Sequence, residues 1–369
     1  MNNTTYPYLF IICDNLAGGS TLLLDNLLAD LRHDRRFKEV AIFTAGAVEV
    51  DPSFFSVVQL NSVVMKFLPR FLVRIILCRR LKEKTCVLNL TNFPVGRLGV
   101  ARESLEICLF HNAYMFSIPP SNFGKLSPAY YIRAYLLRHI LLRALILFAG
   151  ISRTRFVVQS DFMKRLADKY VASKCKVIKP HFPPVSNRNK YHHHNHNLLE
   201  HPELDQYWLY PASGDPHKNH KLLISLVAHA KARGLNVRVI VTITPRSSEE
   251  RALLKNIERQ NLWTHIKNVG WVTQATKEIL LSKCKGIVFF SNFESLGIPV
   301  LEAIFFRKPI VAIDSAVTRE LLGETFPLFD LPREEDKLLE ALSEDNCSAF
   351  VPRELRLMPI INSYLFDLI

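Results

Sequence analysis

One stretch of this 369-residue sequence concentrates groups able to handle anions and hydroxyls: Val288-Phe-Phe-Ser-Asn-Phe-Glu294-Ser-Leu-Gly297-Ile-Pro299-Val-Leu-Glu302-Ala-Ile-Phe-Phe-Arg-Lys-Pro309-Ile-Val-Ala-Ile-Asp314. The pattern predicts a strand, then a loop that presents Glu294, then a helix opened by Gly297 and Pro299 and running to about Phe306. A helix start leaves backbone N–H groups without intrahelical acceptors and carries partial positive charge, so a phosphate or a developing oxyanion can sit there. Gly297 gives a ligand close access to the backbone. Glu294 and Glu302, eight positions apart, bracket the turn, and as carboxylates they suit the vicinal hydroxyls of a sugar or ribose. The pair alone fits equally well an arrangement in which Glu294 caps the helix and Glu302 is an ordinary surface residue.

The elements that must position these groups follow from periodicity. Tyr8–Cys13 is a buried-strand pattern, followed by a loop with Gly18-Gly19 and a helix capped by Ser20, whose leucines recur every three or four residues to Leu31. Short apolar strands are expected at Val40–Thr44, Cys86–Leu90, Ile107–Phe110 and Lys176–Lys179. After residues 182–204, a polar tract that breaks all periodicity, strands are expected at Tyr207–Tyr210, Val237–Ile243 and Gly286–Phe290. Helices are expected between them at Lys218–Arg233, Ser248–Gln260 and Thr276–Cys284. Strands alternating with helices predict an α/β chain of two Rossmann-like, doubly wound parallel-sheet domains. Ligands of such sheets bind at the carboxyl ends of the strands, here in a cleft between the domains. The expected domains are 1–181 and 205–350, joined by the 182–204 linker, with 351–369 packing back toward the first. His192, His193, His194, His196 and His201 fall in the linker without the spacing of metal ligands, so a solvated loop is expected there and no metal site.

Charge is unevenly placed. The net +13 comes from 47 Lys+Arg against 34 Asp+Glu, and residues 1–180 hold 25 and 12 of these, which accounts for all of it. This asymmetry points to an anionic partner of the first domain: nucleic acid, a membrane surface or a polyanionic substrate. An apolar content of 49% excludes disorder as the main state. The start of the chain lacks the basic segment of a signal peptide, and no apolar run is long enough to span a bilayer. The seven cysteines form no C-x-x-C pair and are read as reduced, buried thiols of a cytoplasmic protein. Two stretches, Val63–Lys82 and Ile107–Ser160, interleave basic and apolar residues. In the first, Lys66, Arg70 and Arg74 fall at four-residue steps on one helical face. Basic amphipathic helices of this kind lie at anionic headgroups.

With its surroundings, the Glu294–Glu302 segment resembles the E-x7-E region of retaining glycosyltransferases with the GT-B fold, especially bacterial family 4 enzymes of surface-polysaccharide (O-antigen, capsule, lipopolysaccharide) assembly. Further segments resemble the same family in order. Tyr210-Pro-Ala-Ser213-Gly-Asp-Pro-His-Lys218-Asn-His220-Lys221 is similar to the donor domain's phosphate loop, with Ser213 where relatives usually carry an arginine; His217, His220 or Lys221 would be the replacement cation. Lys267-Asn-Val269-Gly270-Trp-Val272 is similar to the segment beside the nucleotide base, Gly18-Gly19 to the glycine-rich loop, and Leu109-Phe-His111-Asn112 to a strand end with a histidine near the transferred sugar.

The resemblance implies a hexosyltransferase without a cofactor, its nucleotide sugar being a substrate, and the lack of an Asp-x-Asp motif in the sequence predicts that it is metal-independent. His111, Glu294 and Lys218 are the implied catalytic residues. Gly19, Ser213, Lys218, Val269, Glu294, Ser295, Leu296, Gly297, Ile298 and Glu302 are the implied donor-binding residues. Lys218 and the N–H groups near Ser295–Ile298 would stabilise charge on the leaving diphosphate, Glu302 would hold the ribose and Glu294 the sugar. The implied partners are a nucleoside-diphosphate sugar (UDP rather than GDP), a lipid-linked saccharide and an anionic membrane surface, with the protein peripheral at the inner face of the cytoplasmic membrane. The charge stripes run through apolar helices and not among stacking aromatics, which disfavours nucleic acid. The alternatives are a GT-B epimerase or hydrolase acting on the same donor, or a non-catalytic sugar-nucleotide binder.

Overall fold

The computed structural model describes residues 6–13, 24, 27–28, 31, 36–44, 52–53, 55–59, 70–117, 136–148, 154–171, 175–177, 203–344 and 348–352. The chain divides into two compact units, whose described parts run from 6 to 177 and from 203 to 352. The expected glycine loop with Gly19, nearly all of the 182–204 linker with its histidines, and all but the first two residues of 351–369 lie outside the described residues.

The first unit contains strands β1 (Tyr8–Cys13), β2 (Glu39–Thr44), β3 (Phe55–Gln59), β4 (Thr85–Asn89), β5 (Leu105–Phe110), β6 (Thr154–Val158) and β7 (Cys175–Val177). They form one parallel sheet in the order β3-β2-β1-β4-β5-β6-β7, with Ile11 of β1 registered against Ile42 of β2 and Leu88 of β4. β1 is apolar throughout because both its faces are covered. Leu9, Ile11 and Cys13 pack with Leu24, Leu27, Leu28 and Leu31, the helical leucines expected from their spacing. Phe10 and Ile12 pack on the other face with Val73, Ile75 and Cys78 of helix α1 (Arg70–Arg79). Helices α2 (Leu137–Phe148) and α3 (Asp161–Val171) complete the described part. β3 and β6 escape the sequence pattern because polar residues interrupt their apolar runs, Ser56 in one and the exposed Arg155 in the other. The expected basic face of α1 is corrected at Arg74, which is buried, while Leu72 and Ile76 are exposed. Lys66 lies outside the described residues.

The second unit is ordered alike. Strands β8 (Trp208–Tyr210), β9 (Val239–Val241), β10 (Ile266–Asn268), β11 (Gly286–Phe289) and β12 (Ile310–Ala312) form a parallel sheet in the order β10-β9-β8-β11-β12. Its helices are α4 (His220–Ala232), α5 (Ser248–Arg259), α6 (Gln274–Lys283), α7 (Ile298–Phe305), α8 (Ala316–Leu322) and α9 (Glu335–Ser343). Alternate strand residues divide between two cores. Trp208, Tyr210, Val239, Val241 and Val288 face α4, α5 and α9, whereas Leu209, Ile240, Ile287 and Phe289 face α6 and α7. The indole N–H of Trp208 donates to the Leu342 carbonyl at 2.8 Å, tying α9 to the first strand of the unit.

Candidate active site

In the second sheet β8 is flanked by β9 on one side and β11 on the other, so the chain winds away from β8 in both directions. The crevice beyond the carboxyl ends of β8 and β11 is the topological switch point, where ligands of open α/β sheets bind. The loops leaving these two strands carry Lys218 and Glu294, seventy-six positions apart, and their side chains form an ion pair there. The loops are further tied where the buried Tyr210 hydroxyl donates to the Lys218 carbonyl, and where the Asn292 N–H donates to the His217 carbonyl at 3.1 Å. Burial pushes the Glu294 carboxyl up, but Lys218, His217 and the Ser291 hydroxyl together outweigh it and hold it below the ordinary value. Glu294 is thus an anion braced by a cation, with both side chains less than a fifth exposed.

Glu302 sits in the second turn of α7 and is 1% exposed, which excludes the surface reading. Its Oε1 accepts from Lys277 Nζ at 2.6 Å and from Gln274 Nε2 at 3.2 Å, while its buried Oε2 has no partner among the described residues. A buried carboxylate oxygen without a donor is unusual and leaves an acceptor for a hydroxyl. Gln274 and Lys277 were missed from the sequence, although their three-residue spacing places them on one face of α6. α6 is anchored at that end by Thr273, whose hydroxyl accepts from the Thr276 N–H at 3.2 Å.

Between the carboxylates, Gly297 adopts φ 70 and ψ 48, and no side chain caps α7, so Glu294 is not a capping residue. A Cβ on Gly297 would lie 3.0 Å from Leu321 Cδ1 and 3.2 Å from Val317 Cγ1. Glycine is therefore required by left-handed backbone and by packing against α8, a different reason from the ligand access expected of it. Leu296 is buried, whereas Ser295 and Ile298 are half-buried. As the first residue of α7, Ile298 has an N–H without an intrahelical acceptor.

In the β8–α4 loop, the exposed Ser213 donates to Asp215 at 2.6 Å, and Gly214 rests on the side chain of Glu250, which closes the capping box of α5. Two expected replacement cations are corrected. His220 is buried, with Nε2 facing the Ser213 carbonyl at 2.8 Å, and burial pulls its basicity down to about 4. Burial, with Lys218 beside it, likewise lowers His217. Both rings are neutral at pH 7, which leaves Lys221, exposed on α4, as the cation of the three. Val269 follows β10 and donates its N–H to the Val241 carbonyl at 2.9 Å. It lies two strands from β8, roughly 10 Å across the sheet.

His111 belongs to the first unit, just past β5. Its backbone N–H donates to Asn92 Oδ1 at 2.7 Å, and its ring Nε2 lies 3.0 Å from Asn92 Nδ2. Burial brings the imidazole down to about 4, so it is neutral at pH 7. Among the described residues no cluster of three or more His, Cys, Asp or Glu side chains could hold a metal ion.

Solved structures share this architecture over almost the whole chain. Sucrose-phosphate synthase from Thermosynechococcus elongatus superposes with a TM-score of 0.67 at 14% identity, over 98% of each chain. Anabaena HepE in complex with UDP and glucose gives 0.67 at 15% identity, over 98% of this chain and 99% of that one. WaaG, a glycosyltransferase involved in lipopolysaccharide biosynthesis, gives 0.65 at 13% identity over 98% and 99%. The two parallel-sheet α/β units thus have the GT-B glycosyltransferase fold. Residues 194–344 match the model of the family Glycosyl transferases group 1, and the second unit carries that domain. A search of curated proteins found no match.

Proposed function

We propose that this protein is a retaining family 4 glycosyltransferase that moves a hexosyl group from a UDP-sugar to a hydroxyl of a lipid-linked saccharide in surface-polysaccharide assembly. The observation that carries the donor half is the Lys218–Glu294 pair at the β8/β11 switch point beside the uncapped start of α7, with Glu302 keeping an unpartnered oxygen one turn inside. In this reading the bond from the anomeric carbon to the β-phosphate oxygen breaks with its electron pair on phosphate. Lys218 and the N–H groups of the Ser295–Ile298 turn stabilise that charge, a preorganised contribution of about 3 kcal/mol per donor. Glu302 accepts from the ribose, Val269 lines the base, and Glu294 orients the sugar hydroxyls without forming a covalent bond. The acceptor hydroxyl attacks the same face and gives its proton to the departing phosphate, so configuration is retained. Ser213 and Gly19 are assigned to the donor, and His111 to the transferred sugar. Metal independence rests on the lack of an Asp-x-Asp motif in the sequence.

The acceptor half rests on the first unit. α2 exposes Leu137, Ile140 and Leu141 beside the exposed Arg143, and α1 exposes Leu72 and Ile76 near Arg79 and Arg80. Apolar residues with arginines beside them suit an anionic headgroup region, where each basic residue contributes about 1 kcal/mol. Among the described residues no helix is long and apolar enough to cross a membrane, and the placement proposed is peripheral, at the cytoplasmic face.

A panel of UDP- and GDP-sugars read by thermal unfolding tests the donor assignment, since a ligand bound to the folded state raises its stability. A UDP-sugar is expected to raise the melting temperature with EDTA present, and a new α- or β-glycoside of the donor's own configuration is the expected product. No shift with any sugar nucleotide, or an isomerised or free sugar as the sole product, overturns the assignment.

A further inference from the structure

We propose that Asn92 is a positioning residue that holds the His111 imidazole as its Nδ1–H tautomer, making that nitrogen a hydrogen-bond donor reserved for an acceptor oxygen of the substrate. Asn92 lies in the loop after β4, and β4 with β1 forms the switch point of the first sheet. The amide orientation is fixed by an atom of unambiguous chemistry. A backbone N–H can only donate, so the Asn92 atom 2.7 Å from the His111 nitrogen is the carbonyl oxygen. The atom 3.0 Å from ring Nε2 is then the amide nitrogen, which donates and cannot accept. Nε2 must therefore accept, and in the neutral ring the proton resides on Nδ1. Protonating Nε2 would set N–H against N–H, so the same contact opposes the imidazolium, in the direction that burial already drives the ring.

Nδ1 is buried and has no hydrogen-bond partner among the described residues. An unmet buried donor is costly, and a ligand acceptor removes the cost. Because the ring is neutral, the bond it offers suits a hydroxyl or ether oxygen and discriminates little in favour of an anion. The identity of that oxygen as one of a sugar rests on the function proposed above; the tautomer does not.

A purely structural reading of Asn92 exists: its φ of 65 is left-handed, a conformation asparagine tolerates. Glycine meets that requirement without the amide, so Asn92→Gly separates the two. The full-length protein is labelled with 15N-histidine, and the ring signals of His111 are identified by their loss in His111→Gln. In the unmodified protein Nδ1 should appear protonated and Nε2 unprotonated at pH 7.5, unchanged down to about pH 5. In Asn92→Gly both nitrogens should move toward tautomer-averaged shifts. Asn92→Asp keeps the acceptor for the backbone N–H but presents a carboxylate to Nε2, so Nε2 should become protonated and the ring should titrate at higher pH. The affinity for the UDP-sugar that gives the largest thermal shift in the donor panel should fall about tenfold in Asn92→Gly, the loss of roughly one hydrogen bond. An Nε2–H ring in the unmodified protein overturns the proposal, as does an Asn92→Gly ring with the original pattern. Absence of binding by every UDP-sugar of the panel in the unmodified protein overturns the donor reading, whereas the tautomer is read independently from the ring signals.

Discussion

Glu302 is a carboxylate in a place where a carboxylate is hard to keep, with one oxygen served by Lys277 and Gln274 and the other by nothing described. Such a group is worth retaining where a ligand supplies the missing donor. Glu302→Ala should weaken UDP binding by ten- to a hundredfold in calorimetry, the range for a hydrogen bond to a charged group; unchanged affinity would remove it from the site. Lys218→Ala should lower kcat by about 10²-fold or more and should also allow Glu294 to protonate more readily. The histidines set an acid limit. His220 titrates near 4 when folded against an ordinary 6.5, because burial disfavours its cation. Between those values the unfolded chain binds a proton that the folded chain does not, so stability is complete above about pH 6.5 and falls as pH drops toward 4. Thermal unfolding across that window should show a shallower pH slope in His220→Gln; an unaltered slope would contradict the assignment. The depressed carboxyl of Glu294 works in a lower window, contributing stability that disappears as pH falls below its ordinary 4.5.

At the scale of elements, the site depends on where α7 begins. Gly297 turns the chain in a left-handed conformation and packs beneath Leu321 and Val317 of α8, fixing the first turn of α7 between Glu294 and Glu302. Gly297→Ala combines a backbone penalty of about 1–2 kcal/mol with a tight contact. It should lower the urea midpoint and weaken UDP binding together, because the N–H groups proposed to hold the diphosphate lie in the turn that Gly297 packs. A loss of stability with unaltered UDP affinity would separate the turn from the ligand. α6 contributes in the same way: its capped start holds Gln274 and Lys277 at Glu302, so a helix legible in the sequence acquires its part at this carboxylate only through packing.

At the scale of the whole molecule, the positive charge and the groups proposed for the nucleotide diphosphate are divided between the halves of the chain. The excess of +13 lies within residues 1–180, where α2 also exposes Leu137, Ile140 and Leu141. Sedimentation with anionic liposomes should capture the protein at low salt and release it at high salt, since surface charge is screened beyond a Debye length of about 10 Å at 0.1 M. Replacing Leu137 and Ile140 with aspartate should abolish capture while leaving the melting temperature within about 2 °C, because both side chains are exposed and surface changes cost little. Binding that ignores both salt and these substitutions would exclude the proposed membrane face.

The alternation of strands and helices, and the helix opened at Gly297 between Glu294 and Glu302, are legible in the sequence because they depend on local periodicity and on spacings within one loop and helix, whereas Lys218 enters only through the resemblance of its loop to a phosphate loop. β3, β6 and β10 were hidden, since Ser56, Arg155 and Lys267 interrupt apolar runs that neighbouring strands complete. The expected cation role of His217 and His220 failed for a related reason: burial sets the charge of a histidine, and burial is a property of the packed fold. Only the tertiary structure brought residues 218 and 294 into contact, buried Glu302 against Lys277, and set Asn92 on both faces of the His111 recognition problem, backbone and ring. Strand order places those loops side by side, and strand order is fixed by which apolar faces pack together over long sequence separations.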